Sequence, residues 1–309
     1  RGLGDVYKRQ TSNGALSSLT INGPLSGKGA GDIDVANIGG SSVGVTGATV
    51  IGNTNTDDLV LDGTVYKTTG AQTYTAASGD KILVGTTNNA VAFNTANANV
   101  SFNTSDVKLA SGADLTVDTD SGNTGTITFG GSIHGTGNAA SAVTDITSLD
   151  GGGAAVTVNA IDANIEDITI TGPTTIKGNI TTASDGVISI TGNTTIFGDI
   201  TIDTKTGGGA NVTIDGTVNA NSTNDDLDID AGTGTIEITG DIGGSTAFAT
   251  IDLNAVASTA NPSTTDGGVT LGGDIGTANA AGSGVTKLGN AETTGAISLA
   301  GDVYHTSDA

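Results

Sequence analysis

Two stretches of the chain concentrate carboxylates. "TDD" carries Asp57 and Asp58, and "NDDLDID" carries Asp225, Asp226, Asp228 and Asp230. Aspartates at that density point first to calcium, a hard cation that takes about six to eight oxygen ligands. The Gly-Gly-x-Gly-x-Asp nonapeptide of calcium-binding β-rolls is absent, however. Alternation in "DLDID" also sends Leu227 and Ile229 to one face of a strand and the aspartates to the other. The expectation is solvated charge on an outward sheet face. Asp225, Asp226, Asp228 and Asp230 stand as the only calcium candidates, and no catalytic or cofactor-binding residue is assigned. A chelator separates the two readings, because only a calcium-held fold would melt earlier with it.

Other chemistry is thinner. Paired carboxylates could in principle hydrolyse or eliminate across a glycosidic bond. Lyase chemistry, though, calls for a cation to neutralise the substrate carboxylate, and the only arginines are Arg1 and Arg9. His134 and His305 stand alone, with no Ser or Cys in a nucleophile motif. "GPLSGKGAGD" (Gly23–Asp32) lacks the Gly-Lys-Ser/Thr of a phosphate loop, since Gly29 follows Lys28. Asn179-Ile-Thr and Asn211-Val-Thr match a glycosylation acceptor, as chance produces where Asn and Thr abound. Tyr66, Tyr74 and Tyr304 read as packing or corner residues in preference to a sugar-stacking platform. Thr169, Thr171, Thr174, Thr175, Thr191, Thr194 and Thr195 suggest an outward ice-binding array. That array breaks where its equivalents become Glu237, Asp215 and Gly272. The chain is expected not to be an enzyme.

Composition narrows the rest. The 309 residues carry a net charge of −22, with 50 Gly, 3 Pro and no Cys, Met or Trp. Of the acidic residues only Glu166, Glu237 and Glu292 are glutamate, so the acid is nearly all Asp, a turn former. Such acidity with few lysines argues against nucleic acid, whose phosphates need a basic face, and against an anionic membrane surface. No apolar run is long enough to span a bilayer. Disorder would fit the low aromatic content, but Ile, Val and Leu recur in regular alternation.

That alternation is what must position every side chain above. "ITITGPTTIKGNIT" (Ile168–Thr181) and "ISITGNTTIFGDIT" (Ile188–Thr201) are identical at 10 of 14 positions and offset by 20 residues. A looser phrase, apolar-x-apolar with glycine at i+4 and an apolar residue at i+6, recurs from Leu59, Ile127, Val212, Ile236, Val269 and Ile297. Starts at 168, 188, 212, 236, 269 and 297 are spaced 20, 24, 24, 33 and 28, a solenoid signature. One coil of short strands cannot bury its apolar stripe alone. Stacked on a copy of itself it buries Ile on Ile, and its backbone groups pair with the coils on either side. Gly, Asn and Asp suit the corners, where positive φ is often required. The expected fold is all-β, a parallel β-helix (β-solenoid) in one elongated domain with coils of about 20–33 residues.

Boundaries follow from the same reading. The opening "RGLGDVYKRQ" holds both arginines and resembles translated adapter remnants at the ends of chains inferred from environmental DNA. Residues 1–10 are therefore set aside as foreign, and 11–309 form the repeat region. "LVLDGTVYKTTGA" (Leu59–Ala71) and "ISLAGDVYHTSDA" (Ile297–Ala309) share a frame 238 residues apart. They imply a super-repeat re-entered at Ile297, in a fragment of a longer chain.

"GAQTYTAASGD" (Gly70–Asp80), "TITFGGSIHGTG" (Thr126–Gly137) and "IEITGDIGGSTAFATIDLNAV" (Ile236–Val256) give the chain its resemblance to giant secreted adhesins of the filamentous-haemagglutinin and autotransporter type. The resemblance covers most of 11–309. It implies a right-handed parallel β-helix, export to the bacterial surface, and a non-catalytic stalk in cell adhesion or biofilm attachment. Partners would be glycans or proteins of a host or neighbouring cell, bound through parts outside these residues, while this segment stacks on flanking repeats. It transfers no catalytic residue, and a secretion domain, a barrel and a binding tip are missing from the 309 residues. The alternatives are a carbohydrate-binding or carbohydrate-active β-helix and, more remotely, an ice- or calcium-binding repeat. A third alternative is that the segment carries part of a receptor-binding face, and the loops at Gly135–Asp145 and Val256–Gly268 are the places to look for it.

Overall fold

A computed structural model describes residues 15–23, 31–119, 122, 124–135, 147–183, 186–205, 208–255, 267–276, 285–289 and 295–305. The decapeptide, most of the glycine stretch after Gly23 and most of the two expected loops lie outside them. Two compact units make up the chain: Arg1–Gly137 with Val143–Val156 (unit 1), and Asn138–Ala142 with Thr157–Ala309 (unit 2). In both, the chain visits three parallel sheets in rotation, first, second, third, then first again. The expected parallel β-solenoid is what forms.

Unit 2 shows why the repeat is written as it is. In its third sheet Ile168, Ile188, Val212, Ile236, Val269 and Ile297 stand in register, strand on strand. Ile170, Ile190, Ile214, Ile238, Leu271 and Leu299 form a second column two residues on. All but the end pair, Ile297 and Leu299, are buried. Burying one such side chain contributes about 1.5–3 kcal/mol, and each coil does it only because its neighbour supplies the other wall. The first sheet repeats the pattern with Ile176 over Ile196. In the second sheet the 20-residue offset fails, because Ile180 pairs with Ile202 and not with Ile200. The slip is two residues, so inward side chains remain inward.

Unit 1 fills its interior differently. Tyr66 stacks on Phe93 at 4.7 Å between ring centroids, Tyr74 on Phe102 at 5.3 Å, and Phe102 on Phe129 at 4.8 Å. Those separations match the rung spacing of about 4.8 Å, so two aromatic columns rise with the coils and meet edge to face, as Tyr74 does with Phe93. Gln72, fully buried, ties the columns together: its Nε2 donates to Tyr66 O and Asn94 O, and its Oε1 accepts from the Tyr74 hydroxyl. Tyr66 and Tyr74 are thus packing residues, as expected.

The motif glycines serve a purpose other than positive φ. Of those at i+4 in the six loose copies, only Gly216 has a left-handed backbone. What the six share is a close approach. An ideal Cβ on Gly240 would stand 2.6 Å from Gly216 O, and one on Gly273 would stand 2.5 Å from Gly240 C. Each coil's corner rests on the backbone of the coil before, with no room for a methyl group.

Buried threonines tie other corners. Thr182 Oγ1 donates to Gly186 O at 2.9 Å, Thr204 Oγ1 to Ala210 O at 2.6 Å, and Thr119 Oγ1 to Gly125 O at 2.7 Å. Each bond closes the base of a loop, so coils of unequal length return to register.

The 238-residue frame marks a kind of corner and not one place in the coil. Leu59–Leu61 lies in the second sheet and Tyr66 in the third, whereas Ile297–Leu299 lies in the third and Tyr304 bridges within the first. The local chemistry is nonetheless the same. The Tyr66 hydroxyl accepts from Gly63 N and that of Tyr304 from Gly301 N, while Asn37 and Asp274 each accept two backbone N–H groups of the next coil.

Candidate functional site

An aspartate-rich face lies on the second sheet of unit 2. Strand Asp226–Asp230 alternates as its sequence demands, with Leu227 and Ile229 buried and Asp226, Asp228 and Asp230 outward. Ile200–Asp203 flanks it on one side and Thr250–Asn254 on the other. A shallow opening of about 330 Å³ sits there, lined by Asn179, Asp199, Thr201, Asp226, Asp228 and Asp252 among others.

The four calcium candidates do separate jobs. Asp225 is buried and accepts from Asn221 N at 3.1 Å and Ser222 N at 2.8 Å, closing the turn before the strand. Asp226 presents its N–H to Asp199 Oδ1 at 3.2 Å, while its own Oδ1 is buried without a hydrogen-bond partner. Asp228 is half-buried with Asp252 in register beside it. Burial first, then the charges of Asp252, Asp230 and Asp203, hold its carboxyl above the ordinary 3.8, with Lys205 partly opposing. Asp230 pairs with Lys205 Nζ at 2.8 Å, and that hydrogen bond raises the lysine. Among the described residues no three His, Asp or Glu side chains converge as a metal ligand set. What the face offers is a regular array of short carboxylates, edged by Lys205 and Lys287.

Elsewhere the structure redistributes the candidates. Asp58 Oδ1 accepts from Lys81 N at 3.0 Å, and Asp58 N reaches Asp32 Oδ1 at 3.3 Å. His134 is not isolated: its Nε2 lies 3.3 Å from Asp106 Oδ2, and Asp106 Oδ1 accepts from Ser132 N at 2.9 Å. The carboxylate therefore bridges a histidine and a backbone amide, which is not the Ser-His-Asp order of a nucleophile relay. His305 N bonds Ile275 O within the coil stack. The threonine array loses two members to the interior, because Thr174 and Thr194 are buried; Thr174 Oγ1 donates to Gly172 O at 2.9 Å. Tyr304 is 40 % exposed, yet its hydroxyl is bound by Gly301 N.

The functional residues that sequence reasoning missed are the corner acceptors. Asn179 Oδ1 takes Thr201 N, Asn193 takes Thr217 N, Asn211 takes Thr235 N, Asp167 takes Val187 N and Asp241 takes Asp274 N. Each stands immediately before an inward residue and reaches the backbone of the following coil, which also engages Asn179 and Asn211 of the glycosylation-like tripeptides. The available signal was Asn or Asp placed directly before Ile, Val, Leu or Thr, again and again. No family model, no curated protein and no solved structure matches the chain.

Proposed function

We propose that this chain is a non-catalytic structural stalk segment of a secreted or surface-displayed bacterial adhesin, serving cell adhesion or biofilm attachment. The observation that carries the reading is the unit 2 column from Ile168 to Ile297. Every coil there is built to extend its neighbour, and the outward row between the column residues, from Thr169 to Ser298, is polar throughout. A structure made by repetition suits spacing and display, and the wording of Ile236–Val256 resembles adhesin stalks. On this reading glycans or proteins of a host or neighbouring cell are bound by other parts of the assembly, and this segment stacks on further coils.

A carbohydrate-binding reading draws on one observation, the Phe197 ring, 49 % exposed with Lys177 Nζ 5.7 Å from its centroid. Stacking on a sugar face would use such a ring. One experiment tests both. The purified chain is applied to a glycan array and to acidic and neutral polysaccharides, and it is also displayed on non-adherent bacteria between an exported anchor and a known binding tip. The stalk reading expects no glycan signal, no loss of polysaccharide viscosity, and tip-dependent adhesion that the segment extends in reach. Glycan capture lost in Phe197→Ala would favour the alternative, and depolymerisation would overturn the stalk.

A further inference from the structure

We propose that Asp228, held in register beside Asp252 on the second sheet of unit 2, is an acid-responsive latch that takes up a proton as pH falls and so tightens the stack. The inference rests on the geometry of this sheet and not on the stalk reading.

Asp228 is the Cα partner of Thr201 on the preceding coil and of Asp252 on the following one. Parallel rungs hold such partners about 4.8 Å apart with their side chains on the same face, and like charges so placed repel. The charged groups around Asp228 are countable. Its own strand carries Asp226 and Asp230. Ile200–Asp203 brings Asp203, with Lys205 just beyond it. Thr250–Asn254 brings Asp252, and Thr286–Leu288 brings Lys287. Both lysines are engaged with flanking carboxylates, Lys205 with Asp230 at 2.8 Å and Lys287 with Asp252 at 3.1 Å. Asp228 lies between them and makes no ion pair of its own among the described residues, although Lys205 partly offsets its acidic neighbours. Nearby, Asp226 Oδ1 is a buried acceptor without a donor.

Protonation changes the sign of the contact. A neutral Asp228 carboxyl donates where two carboxylates repel, and an O–H donated to a carboxylate is a strong, charge-assisted bond. Because burial and its acidic neighbours raise the Asp228 carboxyl above its ordinary value, the folded chain is the better proton acceptor. Stability is therefore gained as pH falls through the folded value and lost as pH rises through it. The usual salt-bridged aspartate behaves in the opposite way.

Carbon-13 carboxyl titration of the whole chain reads this without a substitution. Asp228 is expected to titrate above 3.8, its ordinary value. In thermal melts, Asp228→Asn should raise Tm at pH 7 by roughly 1–3 °C, and the gain should shrink as the pH is lowered through the Asp228 titration. Asp252→Asn, which also gives up the Lys287 pair, should gain less. Titration of Asp228 at or below 3.8, or an Asp228→Asn chain that melts at or below the parent at pH 7, would overturn the latch.

Discussion

Asp241 Oδ1 accepts the backbone N–H of Asp274, 33 residues later, at 2.9 Å. Asp274 in turn accepts Asp302 N at 2.7 Å and Val303 N at 3.0 Å. Short acidic and amide side chains thus stitch corner to corner along the coil axis, work usually left to backbone carbonyls. Glutamate is one methylene too long for it. Asp274→Ala should cost about 1 kcal/mol, the scale of a lost side-chain cap on backbone donors, read as a shift of the urea midpoint. Asp274→Asn should retain most of the stability, and a fully tolerated alanine would show the stitch to be incidental.

The glycine column makes a sharper demand. Gly240→Ala must push a methyl group against the Gly216 backbone, whereas Gly198 has a φ of +91° and open space around an added Cβ. Gly198→Ala should cost about 1–2 kcal/mol for its left-handed backbone. Gly240→Ala should cost more, about 2–4 kcal/mol, because neither coil can give way alone. Equal losses in denaturant melts would mean that close approach is not what selects glycine here.

Ile190→Ala opens a hole between Ile170 and Ile214 in a buried column. The expected loss is about 2–5 kcal/mol. Ser189→Ala, one residue away on the outward face, should change stability by less than about 0.5 kcal/mol. Reversal of that order would invert the inward and outward assignment.

Thr204 closes its corner by donating to Ala210 O at 2.6 Å and accepting from Ala210 N at 3.3 Å. Thr204→Val keeps the shape and removes both bonds, leaving buried groups unpaired at about 1–3 kcal/mol. Amide exchange at Ala210 should accelerate while exchange at Ile170 should not. Unchanged protection at Ala210 would leave the threonine without its assigned role.

Much of this architecture can be read from the sequence, for a physical reason. Residues stacked on their own copies must repeat, so the Ile168 and Ile188 phrases disclose both the column and its period. Inward and outward assignment along Asp226–Asp230 follows from strand alternation alone. What cannot be read is which residue stands above which once a corner varies in length, as the pairing of Ile180 with Ile202 shows. For the same reason the aspartates read only as turn formers and surface charge: Asp241 is seen as an acceptor only when Asp274 is known to lie over it. The Leu59 and Ile297 phrases look like one place revisited because a corner's hydrogen bonds are local, while its place in the coil depends on every loop before it. His134 likewise becomes a partner of Asp106 only through the pairing of their strands.

Thr169, Ser189, Thr213, Glu237, Thr270 and Ser298 form one outward row on successive coils of unit 2. The chain has no cysteine, so pairs of spin labels can be placed on this row without background. Label pairs at 169 and 237, 169 and 270, and 169 and 298 should give electron–electron distances centred near 14, 19 and 24 Å, rising by about 4.8 Å for each coil crossed. Distances that do not grow by a constant step with coil number would contradict the stacked solenoid, and the stalk reading would fall with it.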